Sequence, residues 1–141
     1  LYERLHTKEI AKYGGVTNVM PRFAMFFMLF TMASVGLPGT SGFIGEFTSL
    51  VGIFKDNIEA SLFITSGVIL GAAYMLLLYK RVMFGEIVCD KVARFKDISR
   101  LEIVYFTIIS IFVILLGIFP NIIFFGLDYP VNNLINNFNS R

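Results

Sequence analysis

Polar and apolar positions fall in long blocks along this chain. Residues 1–22 are polar and charged, with Arg4, His6, Lys8 and Lys12 followed by a Gly14-Gly15 turn, and read as a helix end and a surface loop. Met20-Pro21 opens an apolar run, with proline where a first helical turn tolerates it. The run is interrupted at residues 36–47, GLPGTSGFIGEF, and resumes as far as Phe54. At 1.5 Å per residue the pieces on either side reach only about 22 Å and 18 Å, short of an apolar bilayer core of about 30 Å. Together they predict one discontinuous span over residues 23–54, built from two half-helices. Residues 60–79 form an uncharged segment of spanning length. A charged loop over 80–100 follows, then a further span over 103–123, and an Asn-rich polar tail over 124–141 that is expected to be mobile.

The break gathers what a membrane helix normally excludes: glycines, a proline and, one turn on, an acid. Unpaired backbone at membrane depth is tolerated only where protein buries it or water reaches it, so a break of this kind marks a site. Thr40 or Ser41 is expected to cap the second half-helix through its hydroxyl. Glu46 is not the acid of a capping box, because the residues three after Thr40 and Ser41 are Phe43 and Ile44. Gly67 and Gly71 make a small-residue pair, and Gly45, Ser49 and Gly52 a similar strip; the two strips are expected to face each other.

Composition agrees with a membrane protein. The chain is 56% hydrophobic with a mean hydropathy of +0.74. Its net charge of +2 arises in the loops, so it speaks to orientation and gives no case for nucleic acid. With a single broken span, the basic segments 1–22 and 80–100 share a face, leaving Lys55 and the distant Arg141 opposite. That distribution obeys the positive-inside rule and puts both segments on the cytoplasmic or matrix side. Two separate crossings would part them. The sequence starts at Leu1 in a polar stretch without an initiator methionine, and is expected to be a C-terminal fragment of a longer protein.

Glu46 is the sharpest chemical candidate. Burial in an apolar half-helix penalises the charged form of a carboxyl, which is what lets such an acid take up and release a proton. The alternatives are a sodium site, or a structural acid bonded to loosened backbone or to a lysine outside this chain. His6 is a candidate for proton uptake, yet at a helix end among charges it reads as a solvated surface histidine. Lys80 and Arg81 read as interfacial anchors, with lipid phosphate or an adjacent subunit as the alternative partner. Tyr74 and Tyr79 are candidates for lining a hydrated path, although Tyr79 fits an interfacial belt. A single cysteine, Cys89, makes neither an internal disulfide nor a metal cluster. The sequence has no glycine-rich phosphate cradle, no paired-cysteine metal spacing and no nucleophile elbow.

Three stretches taken together resemble a known family: YERLHTKEIAKYGG at 2–15, GLPGTSGFIGEF at 36–47 and GVILGAAYMLLLYKRVMFG at 67–85. They look like the C-terminal part of the antiporter-like membrane subunits of respiratory complex I, in the branch called subunit M in bacteria and chain 4 in mitochondria. The resemblance implies an all-α integral membrane fold of fourteen helices, built on inverted repeats whose broken helices carry ionisable residues. It makes residues 23–54 the broken helix, with one discontinuous and two full transmembrane helices in this chain. Glu46 matches the acid of that helix, where the related L and N subunits carry lysine.

The implied function is proton translocation within NADH:quinone oxidoreductase, with Glu46 as a proton-transfer residue. No cofactor or metal is expected in this chain, since in the family NADH, FMN, iron–sulfur clusters and quinone bind other subunits. The implied partners are neighbouring membrane subunits such as L and N and the lipid bilayer. The implied location is the bacterial inner membrane, with the mitochondrial inner membrane as the alternative. The rival readings are a cation/proton antiporter or membrane-bound hydrogenase subunit of the same fold, and a structural scaffold in which Glu46 only fixes helix packing.

Overall fold

The structure is a computed structural model that describes residues 1–87 and 89–139. Val88, within the expected 80–100 loop, and Ser140 and Arg141, at the end of the expected tail, lie outside the described residues. Among the described residues all regular structure is helical: α1 (Tyr2–Leu5), a 3-10 turn (Ile10–Lys12), α2 (Val16–Val19), α3 (Pro21–Ser34), α4 (Ser41–Asp56), α5 (Ile58–Met83), α6 (Asp90–Ala93), α7 (Arg100–Ile118) and α8 (Asn121–Asn139). Two of these, α5 and α7, are long and apolar enough to cross a membrane. Only 6% of the apolar window of α5 and 11% of that of α7 are buried within the chain. Their outward faces carry Leu62, Phe63, Ile69, Leu70, Phe112 and Ile118, an arrangement suited to lipid or to further helices and unsuited to water.

The core lies at one end of the bundle. Tyr13, Val16, Met20, Ala24, Tyr79, Val82, Met83, Val92, Phe95 and Ile98 form a single buried cluster there. Aromatic rings extend it along α3: Phe27 stacks on Tyr79 of α5 at 5.7 Å, and Phe26 on Phe106 of α7 at 5.5 Å. Each such pair adds roughly 0.5–1.5 kcal/mol beyond its buried area. Residues 1–22 and 84–99 meet at this end. Gly15 N–H donates to Phe84 O at 3.3 Å, and the Thr17 hydroxyl donates to Met83 O at 2.7 Å. Gly15, at φ +64, has no room for a side chain, because a Cβ would lie 2.9 Å from Gly85 O.

Helix ends at this face are capped by acids. Asp97 reaches across the sequence to the start of α3, accepting from Arg22 N–H at 3.1 Å and Phe23 N–H at 3.2 Å. Ser99 and Glu102 make a reciprocal capping box at the start of α7. Tyr13 donates to Thr7 O at 2.7 Å, and burial together with the nearby Tyr2 holds its hydroxyl above the usual tyrosine range. It is a hydrogen-bond donor throughout physiological pH.

Several expectations are corrected. The helix expected over 60–79 runs from Ile58 to Met83, so it takes the first residues of the 80–100 loop, and α6 occupies another part of that loop. The helix expected over 103–123 starts at Arg100 and stops at Ile118, before Pro120. The polar tail is helix α8. Its asparagines hide a period: Phe124, Leu127, Val131, Leu134, Ile135 and Phe138 form an apolar stripe about 100° wide. Tyr79 is no belt residue, being 6% exposed with its hydroxyl donating to Ala24 O at 3.2 Å. Nor do the glycine strips face each other, since positions 45, 52, 67 and 71 each open onto space with no atom within 4 Å.

Candidate functional site

The break is residues 35–40, between α3 and α4. At 1.5 Å per residue α3 carries it about 21 Å from its first residue, Pro21. Gly117, which touches the break, lies about 25 Å along α7 from Arg100 by the same rule. The break is therefore set far from the basic end.

Local chemistry explains how α3 stops. Gly36 adopts φ +78, its N–H donates to Ala33 O at 3.3 Å, and Leu37 N–H donates to Met32 O at 3.0 Å. This is a Schellman motif with glycine in its left-handed position and Pro38 just beyond, where no helix could continue. Thr40 N–H closes the turn onto Leu37 O at 3.1 Å. The Thr40 hydroxyl also donates to Leu37 O, at 2.7 Å, so it does not cap α4. That corrects the expected capping role of Thr40 or Ser41: the Leu37 carbonyl accepts both the N–H and the hydroxyl of Thr40, and Ser41 is already the first helical residue.

Two close approaches hold the break in place. Gly42 of α4 lies directly against the Ala33 carbonyl of α3, and Gly117 of α7 lies directly against the backbone of Gly39 and Thr40. Any side chain at either position would enter backbone. The break is therefore irregular backbone that packs against α7 at Gly39 and Thr40, with Leu37, Pro38 and Gly39 otherwise exposed.

Glu46 completes the site. It stands on the second turn of α4, and helical side chains lean toward the N-terminus, so its carboxyl folds back over the break. There it meets Gly36: a Cβ on that glycine would lie 2.5 Å from Glu46 Oε2. The acid is half-buried and, among the described residues, has no ion-pair partner. It sits between the carbonyl end of α3 and the amide end of α4, whose dipoles act on a charge with opposite sign. The carboxyl is held there with no fixed countercharge among the described residues.

The other candidate residues are placed elsewhere. His6 is exposed at the end of α1, edge-on to Tyr2 at 6.2 Å. Lys80, Arg81 and Tyr74 are exposed, and Cys89 is half-buried and free. Among the described residues no hydrogen bond or ion pair joins any of them to Glu46. No group of three or more His, Cys, Asp or Glu suited to a metal occurs among the described residues. Gly117 is not among the residues that the sequence singles out. Its signal is a lone glycine inside a helix, which marks close packing.

Comparison with known proteins places this geometry. The family described as NADH:quinone oxidoreductase/Mrp antiporter, TM matches residues 1–88. NADH-quinone oxidoreductase subunit M of Rickettsia typhi is 53% identical over 135 residues, covering 96% of this chain and 27% of that protein. The protein of the same name from Rhodobacter capsulatus is 48% identical over 140 residues, covering 99% of this chain and 27% of its own length. NADH-ubiquinone oxidoreductase chain 4 of Marchantia polymorpha is 41% identical over 135 residues. The chain thus spans about a quarter of the length of the curated relatives it matches. Among solved structures, respiratory complex I from Thermus thermophilus with bound NADH contains a chain similar to this one, with a TM-score of 0.73 and 35% identity over 84% of this chain and 25% of that one. On the match over residues 1–88 and these identities, the chain belongs to the NADH:quinone oxidoreductase/Mrp antiporter transmembrane family.

Proposed function

We propose that this chain is part of a proton-translocating membrane subunit of an NADH:quinone oxidoreductase, in which Glu46 takes up and releases a proton at the break between α3 and α4. The observation that carries the reading is the contact of the Glu46 carboxyl with Gly36. An acid is aimed at the unwound backbone between α3 and α4, with no countercharge among the described residues. The names of the relatives support the complex. In this reading α3 and α4 are the halves of one discontinuous transmembrane helix in a fourteen-helix fold. The meeting of the two basic loops at one end supports that, because one broken crossing leaves them on the same side.

The rest of the reading follows from the same family. The chain carries no redox site: NADH, FMN, iron–sulfur clusters and quinone bind other subunits, and the L and N subunits are its neighbours. The bacterial inner membrane is favoured by the higher identity to the two bacterial relatives, 53% and 48%, than to the Marchantia protein, 41%. A second reading, a subunit of a cation/proton antiporter, has the family description itself in its favour. Co-purification of a flavin and iron–sulfur arm with the full-length protein separates the two.

The test is the ratio of protons moved to NADH oxidised, in liposomes holding the assembled complex with full-length Glu46→Gln. The substitution keeps the shape and removes the ionisable group. The expected result is retained assembly with a sharp fall in pumping and in coupled NADH oxidation. Unchanged pumping in assembled complex would make Glu46 structural.

A further inference from the structure

Gly42 does more than let α4 approach α3. It stands one turn before Glu46 on the same helix, and residues four apart share a face. That face meets α3 twice. Gly42 lies directly against the Ala33 carbonyl, and the Glu46 carboxyl lies against Gly36. The two points on α3 belong to one turn, since Gly36 N–H donates to Ala33 O at 3.3 Å. Gly42, Ala33, Gly36 and Glu46 thus close a ring across the break.

The two contacts differ in stiffness. At Gly42 backbone meets backbone, and Ala33 is buried with its carbonyl held by the Gly36 amide. The contact at Glu46 runs through a long, flexible side chain. A stiff contact sets the spacing of two helices, and a flexible group takes the place that the spacing leaves it. Glycine alone permits this spacing: a Cβ at position 42 would enter the Ala33 carbonyl, and α4 would have to lift away from α3. Gly45, just before the acid, has no such partner, because a Cβ there meets nothing within 4 Å.

We infer that Gly42 is a positioning residue for Glu46: its contact with the Ala33 carbonyl seats α4 at the height that brings the carboxyl onto Gly36. The inference rests on the reading of Glu46 as the proton-transfer residue and adds what holds that residue in register. Seating matters to a reacting group, since a misplacement of about 1 Å can cost roughly a hundredfold in rate. Alanine is a better helix former than glycine at both 42 and 45, so the two substitutions gain alike in propensity and differ in what the new methyl group meets.

The test uses the full-length protein in its assembled complex, as Gly42→Ala, Gly45→Ala and Glu46→Gln, compared at equal amounts of assembled complex. Two quantities are read: protons moved per NADH oxidised in liposomes, and the infrared stretching band of the protonated Glu46 carboxyl, identified as the band that Glu46→Gln removes. Gly42→Ala should lose most of its pumping and displace the band, while Gly45→Ala keeps both as in wild type. A merely structural role for Gly42 would lower the yield of complex and leave the band of the assembled fraction in place, which would overturn the inference. So would wild-type pumping by Gly42→Ala, or an equal loss in Gly45→Ala. If Gly42→Ala does not assemble, Glu46→Asp decides. It draws the carboxyl back by one methylene, about 1.5 Å, while the seat at Gly42 keeps α4 from following, so pumping should fall as in Glu46→Gln. Wild-type pumping by Glu46→Asp would mean that the seat does not set the carboxyl's position. Wild-type pumping by Glu46→Gln, or no band that it removes, would instead sink the proton-transfer reading itself, and this inference with it.

Discussion

Replacing Gly36 by alanine tests the geometry of the break more sharply than replacing the acid, because a matched control stands three residues away. Gly36 and Gly39 both hold positive φ, +78 and +93. Alanine at either position is forced into backbone that L-residues avoid, at roughly 1–2 kcal/mol each. The surroundings differ. A Cβ at Gly39 meets nothing within 4 Å, whereas a Cβ at Gly36 lies 2.5 Å from Glu46 Oε2. Ordinary contact begins near 3.4 Å, so the carboxyl must retreat by the difference, about 0.9 Å. A misplacement of about 1 Å in a reacting group can cost roughly a hundredfold in rate. Both variants should therefore lose similar stability in thermal unfolding of the assembled complex, while only Gly36→Ala loses proton translocation per NADH in liposomes. Equal pumping by the two variants at equal stability would refute a working contact between Glu46 and the Schellman glycine.

Two further outcomes follow from the packing around the site. Gly117→Ala drives a methyl group into the backbone of Gly39 and Thr40, which cannot yield as a flexible side chain does; overpacking of that kind costs about 1–3 kcal/mol, read as a lower unfolding temperature in detergent. Asp97→Ala removes the acceptor for the first amides of α3 and should cost about 1 kcal/mol, up to about 2, with Asp97→Asn costing less. Amide exchange at Arg22 and Phe23 should quicken roughly 5- to 30-fold in the alanine variant, and unchanged exchange would remove Asp97 as the cap.

Two helices parted by a break could be read from residues 23–54 because that rests on local rules: two apolar runs, and a glycine and proline between them that stop a helix. Contacts between elements were less legible. The meeting of Glu46 and Gly36 joins positions ten apart through the angle between α3 and α4, and no spacing rule encodes an angle. Gly67 and Gly71 have the pattern of a packing face, yet Gly42 and Gly117 make the close approaches. Small residues permit approach without naming the partner. Tyr79 looked interfacial because Lys80 and Arg81 follow it, and only the course of α3 past α5 supplies the Ala24 carbonyl that its hydroxyl needs. The helix α8 was obscured by asparagine, a weak helix former, although its apolar residues keep the helical period.

The position of the buried cluster gives the molecule the mechanics of beams clamped at one end. Val16, Met20, Met83 and Val92 fix α3, α5 and the approach to α7 at the basic face, and the break lies at the far end of those beams. Over a lever of about 25 Å, a tilt of roughly 4° at the clamp carries Gly117 nearly 2 Å. A displacement of that size would move Gly117 off the backbone of Gly39 and Thr40 that it packs against.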